Sequence, residues 1–352
     1  MRRVAVVGGG IFGCTAAIHL ARDGHDVHLF EQQPGLLQAA SGINQYRLHR
    51  GYHYPRSAET VGEIGASIIS FRAEYGKAVI DGGSHLYAIA LKGSKTSGAE
   101  YLAFCDEHGL EYKIVPPSAL INPGAVEFAI EVEEARFDPD ILRSLAKEKL
   151  RSTGVHVHLG VRAEASVLGA FDTVVVAAYA QNNAILAAVG RPRDLYQFEI
   201  CEKPVVALPD WFGSTSIVVM DGDFMSVDPL GNSPHFVLGH VVHAIHGTNV
   251  GFEPEIPREF APYLNRGIVG QPAHTRISQV VDAGSYFIPA LADARHIGSM
   301  YTIRMVLSGR ESDDARPSIV NAIDGRFVTI FSGKISTCVE CAQRCVEFVR
   351  AQ

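Results

Sequence analysis

The stretch Val4-Ala5-Val6-Val7-Gly8-Gly9-Gly10-Ile11-Phe12-Gly13 places a short apolar run directly before a glycine-rich turn. The run from Val4 to Val7 is rich in β-branched residues and predicts a strand buried on both faces. A helix is predicted from Cys14 to Arg22, and a second strand from Val27 to Phe30 that ends at Glu31. The order of strand, glycine turn, helix and strand is that of a βαβ dinucleotide-binding unit.

Each glycine of the G-x-G-x-x-G pattern meets a separate physical requirement. Gly8 allows a tight turn, Gly10 lets the backbone approach a pyrophosphate, and Gly13 lets the helix pack closely on the strand. Glu31 can bind a ribose 2′-hydroxyl and would repel a 2′-phosphate, which disfavours NADP. The pattern does not by itself separate FAD from NAD. The residues of this unit that we expect at the cofactor are Gly8, Gly10, Ile11, Phe12, Gly13, Glu31 and Gln32.

Composition limits the other possibilities. A chain of 352 residues with 47% hydrophobic and 20% charged residues is typical of two joined globular domains. A net charge of -7 disfavours nucleic acid and anionic membranes as partners. No apolar stretch is long enough to span a bilayer, and the glycines after Val7 break any signal-peptide pattern. We expect a cytoplasmic protein with reduced thiols, in which Cys338, Cys341 and Cys345 pack in the core from one helical face.

A polar segment after the second strand carries the first specific family resemblance. Residues 40–55 include Ser41, Asn44 and Gln45, followed by Arg47-Leu48-His49-Arg50-Gly51. The segment resembles the D-amino-acid oxidase (DAO) superfamily of flavoproteins, which includes glycine oxidase, FAD-linked glycerol-3-phosphate dehydrogenase and L-2-hydroxyglutarate oxidase. The resemblance implies that this segment runs over the pyrophosphate and the flavin. It therefore adds to the expected cofactor contacts the residues Ser41, Asn44, Gln45, Arg47 and Leu48.

A second match lies near the C-terminus. A strand is predicted from Arg326 to Phe331, and a helix from Cys338, with Thr337 and Glu340 as a possible capping box. The intervening segment resembles the Gly-Gly-Lys-Leu-Thr-Thr segment of the glycerol-3-phosphate dehydrogenase branch. The resemblance implies that this helix terminus faces the flavin, where Lys334 would stabilise the negative charge of the reduced ring. The cofactor contacts implied here are Gly333, Lys334, Ile335 and Ser336.

Two further matches lie between these ends. The segment Tyr301-Thr302-Ile303-Arg304, with Asp313, Asp314, Arg316 and Pro317, resembles the Gly-x-Arg-Pro stretch of the family. The arginine of that stretch holds a substrate carboxylate, so Arg304 is a candidate for this role; alternatively, Arg304 pairs with a structural acid. Residues 171–178 resemble a cofactor-contacting strand and turn of the family, which adds Ala178 and, from the strand before it, Ala163. Tyr179 departs from the pattern, which has glycine there.

The resemblance implies an α/β fold with two domains. The first is an FAD-binding Rossmann-like domain of the glutathione-reductase type, made of residues 1–85, 138–195 and 295–352. The second is a mixed-sheet α+β substrate domain, made of residues 86–137 and 196–294. A helix from Pro139 to Leu150 and strands at residues 86–91 and 236–238 are compatible with this division.

Candidate catalytic residues follow from the same segments. His49 is a candidate general base, because a histidine can remove a proton near neutral pH; alternatively, it only orients the flavin ring. Arg47 or Arg304 would hold an anionic end of the substrate, with Lys334 as a catalytic cation. Three further substrate contacts are His53, Tyr54 and Tyr301, although buried tyrosines are more often core residues. No metal is expected, and the histidines at 235, 240, 243 and 246 are interpreted as a pocket wall.

These observations predict an FAD-dependent oxidoreductase. We expect it to remove a hydride from a C–OH or C–NH carbon of a small polar, anionic substrate, with FAD bound non-covalently. The electron acceptor (oxygen or another), the pathway, which could be biosynthetic, and the oligomeric state are left open. Two alternatives remain: an NAD-dependent dehydrogenase, and a flavin-binding protein without catalytic activity.

Overall fold

A computed structural model describes residues 1–116, 118–309 and 316–352. Its strands, in chain order, are β1 (Arg3–Val7), β2 (Asp26–Glu31), β3 (Arg47–Leu48), β4 (Val79–Ile80), β5 (His85–Ala90), β6 (Tyr112–Val115), β7 (Val126–Val132), β8 (Ala135–Phe137), β9 (His156–Leu159), β10 (Thr173–Val176), β11 (Tyr196–Ala207), β12 (Ser216–Met220), β13 (Met225–Pro229), β14 (Phe236–His240), β15 (Ile245–Gly251), β16 (Arg295–Leu307), β17 (Ile319–Ala322) and β18 (Phe327–Phe331). Its α-helices are α1 (Ile11–Arg22), α2 (Ala58–Tyr75), α3 (Gly98–Glu107), α4 (Pro139–Ser152), α5 (Ala165–Leu168), α6 (Asn182–Ala188), α7 (Ile277–Ser285) and α8 (Cys338–Arg350).

The first sheet confirms the predicted dinucleotide-binding unit. Its strand order is β17-β18-β10-β1-β2-β9, parallel except for the edge strand β17. The central strands are apolar on both faces because helices cover them: α1 and α8 pack together on one side. Cys338, Cys341 and Cys345 are buried in that helical layer as free thiols, as predicted.

The second sheet is mixed and builds the other half of the molecule. Its strand order is β15-β11-β14-β13-β12-β5-β7-β6, and β16 pairs with β11 along almost its whole length. Most of its pairs are antiparallel, whereas β5 and β12 run parallel. The mixed α/β architecture that the sequence predicts is therefore present. The sequence predicts residues 295–352 as part of the FAD domain. The first strand of this segment, β16, lies in the second sheet.

A small three-stranded sheet, β3-β8-β4, completes the fold. β3 carries Arg47 and pairs with β8 through the register of Arg47 with Arg136. β8 follows directly on β7 of the large sheet, with Glu134 between the two strands. This arrangement brings the polar segment at residues 40–55 against the substrate-domain sheet.

The predicted capping box at α8 is wrong. Thr337 is the N-cap residue, but its side chain makes no cap hydrogen bond and donates instead to the carbonyl oxygen of Lys334 at 2.7 Å. The Glu340 carboxylate accepts a hydrogen bond from Ser70 of α2. Glu340 therefore fastens α8 to α2, because a tertiary partner competes successfully with the local cap. None of the described helices is long and apolar enough to cross a membrane.

Candidate active site

A cavity opens at the carboxyl ends of β1, β2 and β10, where parallel α/β sheets bind their ligands. It extends past β3 to the facing strands β11 and β16. The predicted site residues that line it are Gly8, Gly10, Ile11, Phe12, Glu31, Gln32, Ser41, Asn44, Gln45, Arg47, His49, Ala163, Ala178, Arg304, Gly333, Lys334 and Ile335. The folded chain thus brings together residues as far apart in the sequence as Gly8 and Ile335.

The glycine turn has the geometry that its sequence pattern requires. Gly8 adopts a φ of +112°, and a Cβ atom there would lie 2.4 Å from the carbonyl oxygen of Ala177. A Cβ on Gly13 would lie 1.9 Å from the carbonyl oxygen of Gly8. Gly13 is therefore a packing residue behind the cavity wall, while Gly10 lies on the cavity surface. Only glycine gives this close approach of helix and strand.

The end of β2 and the start of α1 present groups suited to a dinucleotide. The Glu31 carboxylate accepts hydrogen bonds from the backbone N–H groups of Gly9 and Gln33, at 2.6 and 2.7 Å. These bonds fix its position at the cavity edge, where it can bind ribose hydroxyls. The Ser41 hydroxyl accepts a hydrogen bond from the Ile11 N–H at 3.0 Å and so joins the polar segment to the positive end of α1.

Tyr179, which replaces the usual glycine of the family, is part of the cavity wall. It adopts a φ of +52°, a conformation that glycine takes more readily than tyrosine. Its hydroxyl donates to the carbonyl oxygen of Met305 at 2.9 Å and accepts from the Met305 N–H at 2.9 Å. The side chain therefore joins the turn after β10 to β16, and these hydrogen bonds offset the backbone strain.

His49 lies beside a buried carboxylate. Its Nδ1 atom is 3.6 Å from Oε1 of Glu134. Oε1 accepts a hydrogen bond from the Arg50 N–H, and Oε2 accepts one from the Tyr87 hydroxyl. Burial, partly offset by Glu134, lowers the pKa of His49 below its usual value. Burial opposes ionisation of Glu134, but its interactions with the His49 imidazole and the Arg47 guanidinium hold its pKa well below the ordinary range. The lowered pKa favours the neutral imidazole, and the Glu134 carboxylate is placed to stabilise its protonated form.

Arg47 is held by a buried acid. Its Nε and Nη2 atoms donate to the two carboxylate oxygens of Asp228 at 2.6 and 2.9 Å, and both side chains are buried. Burial opposes ionisation, but the charge of Asp228 raises the pKa of Arg47 above its usual value. The Arg47 side chain is only 2% exposed, against 41% for Arg304, which makes Arg47 a weaker candidate than Arg304 for holding a substrate carboxylate.

Arg304 pairs with Glu199 across β16 and β11, with its Nε 2.5 Å from the carboxylate. Its side chain remains about two-fifths exposed towards the cavity, at 41%. Lys203 on β11 and Lys334 line the same cavity. Burial lowers the pKa of Lys203 to about 8 and the pKa of Lys334 to about 7. Within the described part of the chain, neither lysine ammonium forms an ion pair with a carboxylate.

Several predicted contacts lie outside the cavity lining: Gly13, Leu48, His53, Tyr54, Tyr301 and Ser336. The Tyr54 ring lies beneath the Lys334 ammonium, 4.1 Å from its centroid, and so supports a cavity residue. Tyr301 points to the other face of β16 and donates to the carbonyl oxygen of His274 at 2.7 Å. Both tyrosines lie in buried hydrophobic clusters, and their contact with a substrate stays a prediction. Asp313 and Asp314 lie outside the described residues.

The sequence did not identify several cavity residues on β11, on β16, in the loop between β15 and α7, and in the segment after β16. These are Cys201, Lys203, Asn265, Thr302, Met305 and Arg316, besides Tyr179. The alternation of Cys201 and Lys203 along one strand face was the available signal. It could not be used, because only the pairing of β11 with β16 shows that this face looks towards the dinucleotide domain.

The histidines at 235–246 do not meet in one cluster. The rings of His240 and His243 are 4.4 Å apart, whereas His246 binds the buried carboxylate of Glu202 at 2.7 Å. None of these four histidines lines the cavity, so they do not form the predicted pocket wall there.

The fold and the cavity define a two-domain dinucleotide-binding oxidoreductase whose glycine turn, Glu31 and facing cationic wall fit a flavin dinucleotide. A profile of the FAD dependent oxidoreductase (DAO) family matches residues 3–328. The chain belongs to this family. FAD is its cofactor, and the protein is an FAD-dependent oxidoreductase.

The chain is also similar to three known proteins. It is 36% identical to the FAD-dependent monooxygenase kojA of Aspergillus flavus over 168 residues, which are 45% of this chain and 38% of kojA. It is 25% identical to the FAD-dependent monooxygenase FPY4 of Fusarium mangiferae over 339 residues, or 95% and 87% of the two chains. The structure of L-α-glycerophosphate oxidase from Mycoplasma pneumoniae with FAD bound superposes with a TM-score of 0.71 at 15% identity, covering 99% and 94% of the chains. The match to kojA spans less than half of that protein's length.

Proposed function

We propose that the protein oxidises a C–OH or C–NH bond of a small anionic substrate, with His49 as the general base. The observation that carries the proposal is a histidine beside the buried Glu134 carboxylate, in the same cavity as the basic residues Lys203, Arg304 and Lys334. Oxidation removes a hydride from carbon and a proton from the attached oxygen or nitrogen, and forms C=O or C=N. Bound FAD supplies the hydride acceptor.

The proton is assigned to His49. Because its Nδ1 faces Glu134 at 3.6 Å, its Nε2 is the atom available to a substrate. As the proton arrives, the imidazole becomes cationic and the Glu134 carboxylate stabilises the new charge. This pairing separates His49 from His53, which is half-buried, has its pKa lowered well below the usual value by desolvation, and does not line the cavity.

The charge of the cavity supports an anionic substrate. Arg47 and Arg304 each have a carboxylate partner, in Asp228 and Glu199, whereas the two cavity lysines have none among the described residues. With pKa values of about 8 and about 7, Lys203 is mostly protonated and Lys334 about half protonated at neutral pH, so the two lysines give this wall part of their positive charge. A carboxylate or phosphate on the substrate would offset the desolvation of these ammonium groups.

The test is anaerobic mixing of the FAD-loaded protein with matched pairs of hydroxy acids, amino acids and their neutral amides. We expect the acids to bleach the flavin absorption and the amides to do so only at far higher concentrations. Lys203→Met and Arg304→Met should each raise the half-saturating acid concentration tenfold or more, and Lys77→Met on the surface should not. Equal bleaching by acids and amides would contradict the proposed anion site.

The same experiment distinguishes the monooxygenase chemistry that the names of kojA and FPY4 indicate. An enzyme of that type needs an external reductant, so its flavin would bleach with NADH or NADPH and not with substrate alone. Bleaching by a hydroxy or amino acid without nicotinamide supports direct substrate oxidation. A flavin that neither reagent reduces would support the non-catalytic alternative.

A further inference from the structure

We infer that Asp26, His28 and His156 form a binding site for a divalent transition-metal ion of the zinc class. The site lies on the dinucleotide-binding sheet, where β2 pairs in parallel with the edge strand β9. The register places His28 directly opposite His156. Because side chains two residues apart share a strand face, Asp26 and His158 lie on the same face as these two histidines.

The spacing of the ligand atoms fits a small metal ion. Oδ1 of Asp26 lies 3.6 Å from Nε2 of His28 and 3.6 Å from Nε2 of His156, and all three atoms lie within 4.8 Å of one another. A tetrahedral zinc ion with bonds of about 2.0–2.2 Å separates its ligand atoms by roughly 3.4 Å. Two of the three separations are thus close to the ideal. The third closes by rotation of His156, whose side chain is 60% exposed.

The surrounding side chains orient the ligands in the way that metal sites require. Nδ1 of His28 is 3.0 Å from Nε2 of His158, so a hydrogen bond from His28 to His158 leaves the His28 Nε2 lone pair for the metal. The other carboxylate oxygen of Asp26 is 3.4 Å from Nε of Arg3, which turns Oδ1 towards the histidines. The positive charge of Arg3 repels a bound cation, so we expect a dissociation constant in the micromolar rather than the nanomolar range.

The position of the site suggests its effect. β9 is an edge strand, and the chain after it, from Val161 to Ala163, lines the cavity beside Glu31. An ion bound by His28 and His156 would join β9 to β2 and hold this end of the cavity in place. Two nitrogen ligands and one oxygen ligand suit Zn²⁺, with a fourth position left to water.

The experiment is calorimetric titration of the untagged, FAD-loaded protein with Zn²⁺. We expect one ion per chain and a rise of several degrees in the thermal midpoint. His156→Ala, at an exposed position that tolerates truncation, should weaken Zn²⁺ binding at least 100-fold and abolish the thermal shift. His158→Ala should weaken it about tenfold, because an orienting partner typically contributes 10- to 100-fold.

The control variant is His243→Ala, because His240 and His243 form another close histidine pair, with ring centroids 4.4 Å apart. It should leave the affinity unchanged. Absence of stoichiometric binding in the wild-type protein, or loss of binding in His243→Ala but not in His156→Ala, would overturn the inference. Neither outcome depends on the proposed reaction, since the readouts are metal binding and stability.

Discussion

The substitution Glu134→Gln tests how the proposed base works. It keeps the shape of a buried side chain and removes the charge that faces His49 at 3.6 Å. Two unit charges at that distance attract by about 4.6 kcal/mol at an effective dielectric constant near 20, equivalent to a rate factor of about 10³. This attraction acts only once His49 gains positive charge. Because the proton is only partly transferred in the transition state, we expect Glu134→Gln to slow flavin reduction by about 10²–10³-fold.

The assay is single-turnover reduction followed by anaerobic stopped-flow absorption, with the flavin content checked first. Glu133→Gln is the matched control, since Glu133 is adjacent in sequence and exposed. The double variant Glu134→Gln with His49→Asn should be no slower than His49→Asn alone, because Glu134 acts through His49. A wild-type rate in Glu134→Gln, or additive losses in the double variant, would refute this reasoning.

Three further results are expected. Gly13→Ala should destabilise the protein by about 1–3 kcal/mol in urea unfolding, because the new Cβ would meet a carbonyl oxygen. Gly62→Ala is the control and should be neutral or stabilising, because a Cβ there has nothing within 4 Å. Equal effects of the two substitutions would contradict the close packing at Gly13. Burial lowers the pKa of His85 to about 4. Below about pH 6.5 the unfolded state therefore binds more protons than the folded state, and His85 should lower the free energy of unfolding by about 2 kcal/mol between pH 7 and pH 5. His85→Asn should reduce this pH dependence. Asp228→Asn leaves the buried Arg47 charge without its partner and should cost about 3–5 kcal/mol, measured as a lower denaturation midpoint; an unchanged midpoint would show that the pair is dispensable.

Local patterns in the sequence were sufficient to predict the dinucleotide-binding half. The glycine turn, the apolar strands and the acid at the end of β2 are encoded within 31 residues, and they form the βαβ unit as expected. Lys334 and His49 were located through family resemblance, and both line the cavity. Their roles in catalysis stay predictions.

The facing wall could not be predicted in this way. Lys203 and Thr302 reach the cavity only because β11 and β16 pair across almost a hundred residues of sequence, and no local pattern specifies that register. Tyr301 illustrates the reverse error: it is adjacent to a cavity residue, but strand alternation points its side chain to the opposite face. The partners of Arg47 and Arg304, which decide how much positive charge is left for a substrate, likewise come from distant strands.

The most direct test of the account is the absorption spectrum of the purified protein, recorded before and after acid or heat denaturation and after anaerobic addition of a small hydroxy or amino acid. The account predicts the two bands of oxidised flavin, release of one FAD per chain into the supernatant, and bleaching by an anionic substrate. A colourless protein that does not take up added FAD would contradict the account and return the nicotinamide-dependent alternative to first place.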